Sequence, residues 1–260
     1  MNPWTSLLLA TGACLALQGV AFVVARRIGN YGLVDPCWAL CVVLAAAVHG
    51  HFGAAPFPRR AAVTAAVALW GLRHAFLLLR HRVIGRPEEG RYVALRAAWS
   101  PRVFLGFFLA QGLLAALLSA PFLLSASDPA PAAHPLELVA LAVFAVGFVG
   151  EVVADAQLAA WKRDPAHRGR TCRAGLWGWS RHPNYFFELV MWAAFALAAT
   201  SAPWGALAWT APAGLALLVL FVTGIPPTEA QALRSRGDDY RAYQREVSAL
   251  VPWPPRRSRA

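Results

Sequence analysis

An all-α integral membrane protein of about seven transmembrane helices is the fold predicted by this 260-residue sequence, on three observations. Hydrophobic residues make up 58% of the chain and charged residues only 14%, against roughly 25% charged in a soluble domain. The apolar runs are unbroken over the about 20 residues that a helix needs to cross a bilayer. The basic residues behind the net charge of +11 are not gathered on one face or tail but punctuate those runs, as in a bacterial-type multi-span protein oriented by its cytoplasmic charges. That distribution argues against a nucleic-acid partner. Continuous rather than alternating hydrophobicity argues against a β-barrel.

The spans are expected at about 4–25, 33–50, 61–80, 103–125, 136–160, 184–201 and 203–222. The first has no basic segment before it and no small-residue cleavage site ahead of Arg26 and Arg27, so it is expected as a retained helix rather than a signal peptide. The last two are joined by a tight turn at Ala202-Pro203-Trp204 and are expected as a helical hairpin. Arginines cluster in three places: Arg80 to Arg102, Lys162 to Arg181, and the tail after residue 223. Seven spans with the N-terminus outside and the C-terminus cytoplasmic put all three on one side, the expected arrangement for a bacterial inner membrane. Arg59 and Arg60 are the exception, because they fall outside. Cys14, Cys37, Cys41 and Cys172 form no CxxC or zinc-ligand spacing and are expected as buried free thiols.

Ionisable groups inside membrane spans are costly and are functional candidates. Glu151 and Asp155, four apart in GEVVADAQLAAWK, share a helix face, and Lys162 follows two turns later. Their mutual repulsion calls for the basic loop, or a ligand's hydroxyls, amides or bases, to face them. Asp35 precedes Pro36 and is expected as an N-cap, or as a catalytic carboxylate. Arg73 suits an intramembrane carboxylate, and Gln111 an interhelical hydrogen bond.

The stretch SRHPNYFFE differs in kind. Pro183 ends the basic loop and opens a helix whose free N–H groups favour an anion. Arg181 and His182 precede it, and Asn184, Glu188 and Trp192 fall on one face below. In the tail, DDYRAYQREVSALVPW suits an amphipathic helix on the membrane face, with Tyr240 and Tyr243 available to close a cleft. No Walker, GxSxG or GxGxxG motif and no metal-ligand spacing is present, so no metal is expected and any chemistry falls to an organic cofactor.

The run GLWGWSRHPNYFFELVMWAAFAL, with GEVVADAQLAAWKRD upstream and EAQALRSRGDDYRAYQREVSALVPW downstream, resembles the steroid 5-alpha-reductase family. It is most similar to the bacterial branch known by a domain of unknown function, DUF1295. The core is shared with sterol C14 and C7 reductases, and a looser version with isoprenylcysteine carboxyl methyltransferases. The resemblance implies a helical membrane enzyme with an NADPH cavity in residues 126–260 and a substrate side in residues 1–125. It implies that Asn184, Glu188 and Trp192 line the nicotinamide. Asp155, Lys162 and Tyr243 would hold the cofactor, with Glu151 and Tyr240 nearby. Arg181, His182 and Tyr185 match the sterol-reductase motif, and Arg173, Arg168 or Arg170 would meet phosphates. The early Gln-Glu pair of the steroid reductases has no counterpart here, since Asp35 is the sole carboxylate of the second span.

Three expectations follow. The first is an NADPH-dependent reductase of a carbon–carbon double bond in a lipophilic, steroid- or isoprenoid-like substrate reached from the bilayer, with Asp35, Tyr31 or Gln111 as proton source. The second is an S-adenosylmethionine-dependent methyltransferase. The third is a membrane protein without catalysis.

Overall fold

Asparagine and proline open the first helix. Asn2 Oδ1 accepts from Trp4 N at 2.9 Å, and α1 (Pro3–Ile28) runs to Gly29, whose N–H returns to Ala25 O. In this computed structural model, which describes residues 2–131 and 134–256, helices follow as far as Glu246. Among the described residues there is no strand, only an isolated bridge between Ser180 and Ser248. The chain divides into two compact units. The first comprises Met1–Glu137 and Phe195–Ala211, the second Leu138–Ala194 and Pro212–Ala260.

In the first unit α2 (Val34–Phe52) is central, packing against α1, α3 (Phe57–Leu78), α5 (Pro101–Leu118) and α6 (Ala120–Ser127). Its buried face is Cys37, Ala39, Cys41, Val42, Ala45 and Ala46. Small residues let helices approach closely in a membrane. Cys14 Sγ donates to Cys41 O at 3.3 Å, and all four cysteines are free and buried, as expected. A short helix, α4 (Gly90–Ala98), lies in the basic loop.

The charge pattern's exception resolves here. Arg59 is buried and pairs with Asp128 at 3.2 Å and Glu137 at 2.9 Å. Arg60 donates to the backbone carbonyls of Ala55 (2.8 Å) and Gly50 (2.6 Å). Both arginines are engaged by partners within the fold. One acts within an ion triad, and the other caps the carbonyl end of α2, where cations are favoured.

Among the described residues, six stretches are long and apolar enough to cross a membrane: Pro3–Ile28, Tyr31–Phe52, Phe57–Val83, Pro101–Ser127, Pro135–Arg163 and Gly205–Arg236. The expected sixth span is α8 (Pro183–Ala199), with 17 residues. At about 1.5 Å per residue it reaches about 26 Å, short of the about 30 Å hydrocarbon core. The expected seventh is a 3-10 turn (Gly205–Trp209), then α9 (Thr210–Leu217), then a π turn (Leu218–Val222).

The second unit holds α7 (Pro135–Arg163) from Leu138 onward, α8 to Ala194, α9 from Pro212, α10 (Ile225–Arg236) and α11 (Asp238–Glu246). Pro226 and Pro227 sit in the first turn of α10, where a missing N–H costs nothing.

Candidate functional site

Two glycines decide where α7 and α8 meet. A Cβ on Gly147 would lie 3.0 Å from Met191 N and Phe187 O, and one on Gly150 within 2.5 Å of the Phe187 ring. Residue numbers rise along α7 as they fall along α8, so the helices run antiparallel. The turn holding Glu151 and Asp155 is thereby level with the turn holding Asn184 and Glu188. Glu151 is 3% and Glu188 8% exposed, while Asp155 and Asn184 are half-buried. Met191 and Trp192, fully buried, continue the same wall of α8.

The basic loop folds back over the end of α7. Gln157 Oε1 accepts from Leu176 N at 2.9 Å, and Trp177 Nε1 donates to Ala154 O at 2.8 Å. The Gln157 side chain occupies the space that a Cβ on Gly175 would need, and Gly175 has a φ of 56°, so glycine fits there on both counts. His167 stacks flat on Trp161 with ring centroids 3.5 Å apart. Arg168 and Arg170 are exposed on this loop, and Lys162 is exposed in the last turn of α7.

The SRHP motif is strapped to the tail. Arg181 N donates to Ser248 O at 2.8 Å, Ser180 Oγ to Leu250 O at 2.6 Å, and Trp253 N to Trp179 O at 2.9 Å. Tyr243 O–H, buried, donates to Trp177 O (2.5 Å) and Ser180 O (3.2 Å). One carboxylate gathers the rest. Glu229 receives Arg181 Nε (2.7 Å), Tyr240 O–H (3.3 Å) and Gln244 Nε2 (2.7 Å), with His182 Nε2 at 3.2 Å. Arg181 Nη1 also donates to Gln244 O and Val247 O, at the carbonyl end of α11. Tyr185 stacks on His182, and its hydroxyl lies 3.4 Å from Thr228 Oγ1. Arg173 pairs with Glu246 and sits over the Tyr243 ring at 5.4 Å. Burial pushes the Tyr240 and Tyr243 phenols well above their ordinary range, the Glu229 charge adding to the shift at Tyr240.

The sequence-derived cofactor residues thus fall into two groups. Glu151, Asp155, Asn184, Glu188 and Trp192 belong to the α7–α8 crossing. Arg173, Arg181, His182, Tyr185, Tyr240 and Tyr243 join the motif to the tail, and Lys162 is exposed at the end of α7. Glu229, which follows the Pro226-Pro227 break, and Gln244 complete the second group. Their signal was faint: a carboxylate just past Pro226-Pro227, and a glutamine one residue after Tyr243.

The expected catalytic residues lie in the first unit. Asp35 does not cap α2. The helix begins one residue earlier, at Val34, by way of a 3-10 turn that Asn30 caps through Gly32 N. Asp35 accepts instead from Arg82 Nη1 (3.1 Å), Arg91 and Tyr92 O–H (2.7 Å). Glu89 bridges the same two arginines. Tyr31 packs its ring 4.3 Å from Phe104, and its N–H donates to Glu88 at 2.7 Å. Gln111 is half-buried on α5. Tyr92, missed in the sequence, is 2% exposed, and burial followed by the Asp35 charge raises its phenol. Among the described residues no cluster has metal-binding geometry.

The chain is 29% identical over 209 residues to the uncharacterized protein C594.04c of Schizosaccharomyces pombe, covering 71% of this chain and 60% of that one. The chain therefore spans less than two thirds of that relative's length. No solved structure matches. The family model described as protein of unknown function (DUF1295) matches residues 21–247, from α1 through the end of α11, and the chain belongs to that family.

Proposed function

We propose that this protein is a membrane-embedded NADPH-dependent reductase of a carbon–carbon double bond in a lipophilic, steroid- or isoprenoid-like substrate, related to the steroid 5-alpha-reductases. The observation that carries this reading is the α7–α8 crossing. There Glu151, Asp155, Asn184 and Glu188 share one level above the apolar Met191 and Trp192.

That donor set fits a ligand rich in amide N–H and hydroxyl groups. The carboxylates accept from a carboxamide and from ribose hydroxyls, and the Asn184 amide both donates and accepts. Lys162, Arg168 and Arg170 are the exposed cations offered to phosphates. Arg181, His182, Tyr240 and Tyr243 act as positioning residues, since their donors hold the tail against the motif. When bound, NADPH supplies a hydride. The chain's share is to orient the cofactor and keep water out. The three basic clusters face the cytoplasm of a bacterial inner membrane, with the N-terminus outside, where a soluble nucleotide is at hand.

A second reading has its own support. Two buried carboxylates also suit the sulfonium and ammonium charges of S-adenosylmethionine. Titration of the purified protein separates the two. A reductase enhances or quenches NADPH fluorescence saturably and gives no heat with S-adenosylmethionine. The reverse pattern makes the protein a methyltransferase.

A further inference from the structure

The second unit carries an exposed aromatic patch that the cofactor site does not use. Trp179 is 50% exposed, Val251 53% and Trp253 68%. These are large apolar groups in an unusual place, on a proline-rich tail rather than on a spanning helix. They are also held rigidly. Four backbone carbonyls fix the strap: Ser248 O takes Arg181 N, Leu250 O takes Ser180 Oγ, Trp179 O takes Trp253 N at 2.9 Å, and Glu246 O takes Arg256 N at 2.8 Å. A tail without a task would not be bonded at both ends to the segment that leads into α8.

We infer that this strap is an interfacial anchor, with Trp179, Val251 and Trp253 seated in the anionic headgroup layer of the surrounding membrane. Three features select that occupant. Tryptophan is enriched at headgroup depth because its ring is apolar and its indole N–H still seeks a polar partner. Trp179 stands four residues before Pro183, where the apolar helix α8 begins, so the patch is tied covalently to the start of that helix. Arg245 and Arg256 flank it, both exposed and without an ion pair among the described residues, and the sequence continues Arg257-Ser258-Arg259. Arginines beside a membrane surface are attracted by anionic lipid. The strap would hold α11 and Tyr243 at a set depth, and so steady the SRHP motif that they bind. This inference does not depend on which cofactor the protein uses.

The test uses the full chain carrying Val251→Cys, labelled with an environment-sensitive fluorophore. The four native cysteines are buried, so the new thiol is the accessible one. In phosphatidylcholine vesicles containing phosphatidylglycerol, the label is expected to emit to the blue. Lipids brominated near the headgroup should quench it and aqueous iodide should not. Quenching should weaken when phosphatidylglycerol is omitted, and again in Arg245→Gln/Arg256→Gln. Iodide quenching without bromolipid quenching overturns the anchor. A label shielded from both quenchers also overturns it, because a second copy or a protein partner then covers the patch. Equal bromolipid quenching with and without phosphatidylglycerol overturns the assignment of anionic lipid.

Discussion

Two polar networks, one in each unit, use the same residue types to opposite effect. Around Asp35 the charges are numerous and local: Arg82, Glu88, Glu89, Arg91 and Arg96 come from one loop, and the arginines stay 35–46% exposed. Around Glu229 there is one carboxylate, 13% exposed, held on α10, and its partners arrive from the motif and α11. A loop of many half-solvated pairs tolerates the loss of a member, because water and neighbours compensate. A single half-buried acceptor with four partners does so less well. The first network is therefore a redundant clasp. The second is a hub on which the geometry of the SRHP turn depends.

The contrast can be broken most forcefully at the hub. Glu229→Ala leaves Arg181, His182, Tyr240 and Gln244 without their common acceptor and should cost about 3–5 kcal/mol. In detergent this reads as a large fall in thermal midpoint, and limited proteolysis should cut the tail. Glu229→Gln should recover part of the loss. Next comes the helix crossing. Gly150→Val meets the Phe187 ring and should cost about 1–3 kcal/mol by overpacking, seen as a lower midpoint with the Glu229 network intact. The clasp should respond least to a single change. Asp35→Asn removes one charge from a half-exposed cluster and should cost about 1 kcal/mol or less in midpoint measurements. A fall as large as that of Glu229→Ala would erase the distinction.

A titration sharpens the comparison further. Tyr92 in the clasp, and Tyr240 and Tyr243 at the hub, have phenols raised above their ordinary value by burial. The folded state keeps those protons to higher pH than the unfolded chain does. Stability is therefore intact below about pH 10 and declines as pH rises beyond it. Ultraviolet phenolate absorbance should show these three among the five tyrosines ionising late, together with unfolding. Ionisation of all five near pH 10 in the folded protein would contradict the burial.

Much of this was legible in the sequence because it is local. Apolar run length gives the membrane helices, Pro183 gives the start of α8, and the spacing of Asn184, Glu188 and Trp192 puts them on one face. What was hidden is long-range. Asp35 and Tyr92 lie 57 positions apart, Arg181 and Glu229 48, and nothing in either segment names its partner. Arg59 looked like a misplaced topogenic charge because Asp128 and Glu137 are distant in sequence. The register of α7 on α8 was hidden too, since it rests on Gly147 and Gly150, residues with no side chain to give a pattern.

The claim that the α7–α8 crossing holds a nicotinamide cofactor is tested most directly by NADPH binding to Glu188→Gln. Fluorescence titration should show affinity weakened by tenfold or more, about 1.4 kcal/mol, at an unchanged thermal midpoint, while Asp35→Asn binds as the parent does. NADPH affinity unaltered in Glu188→Gln, or absent in the parent protein, would contradict it.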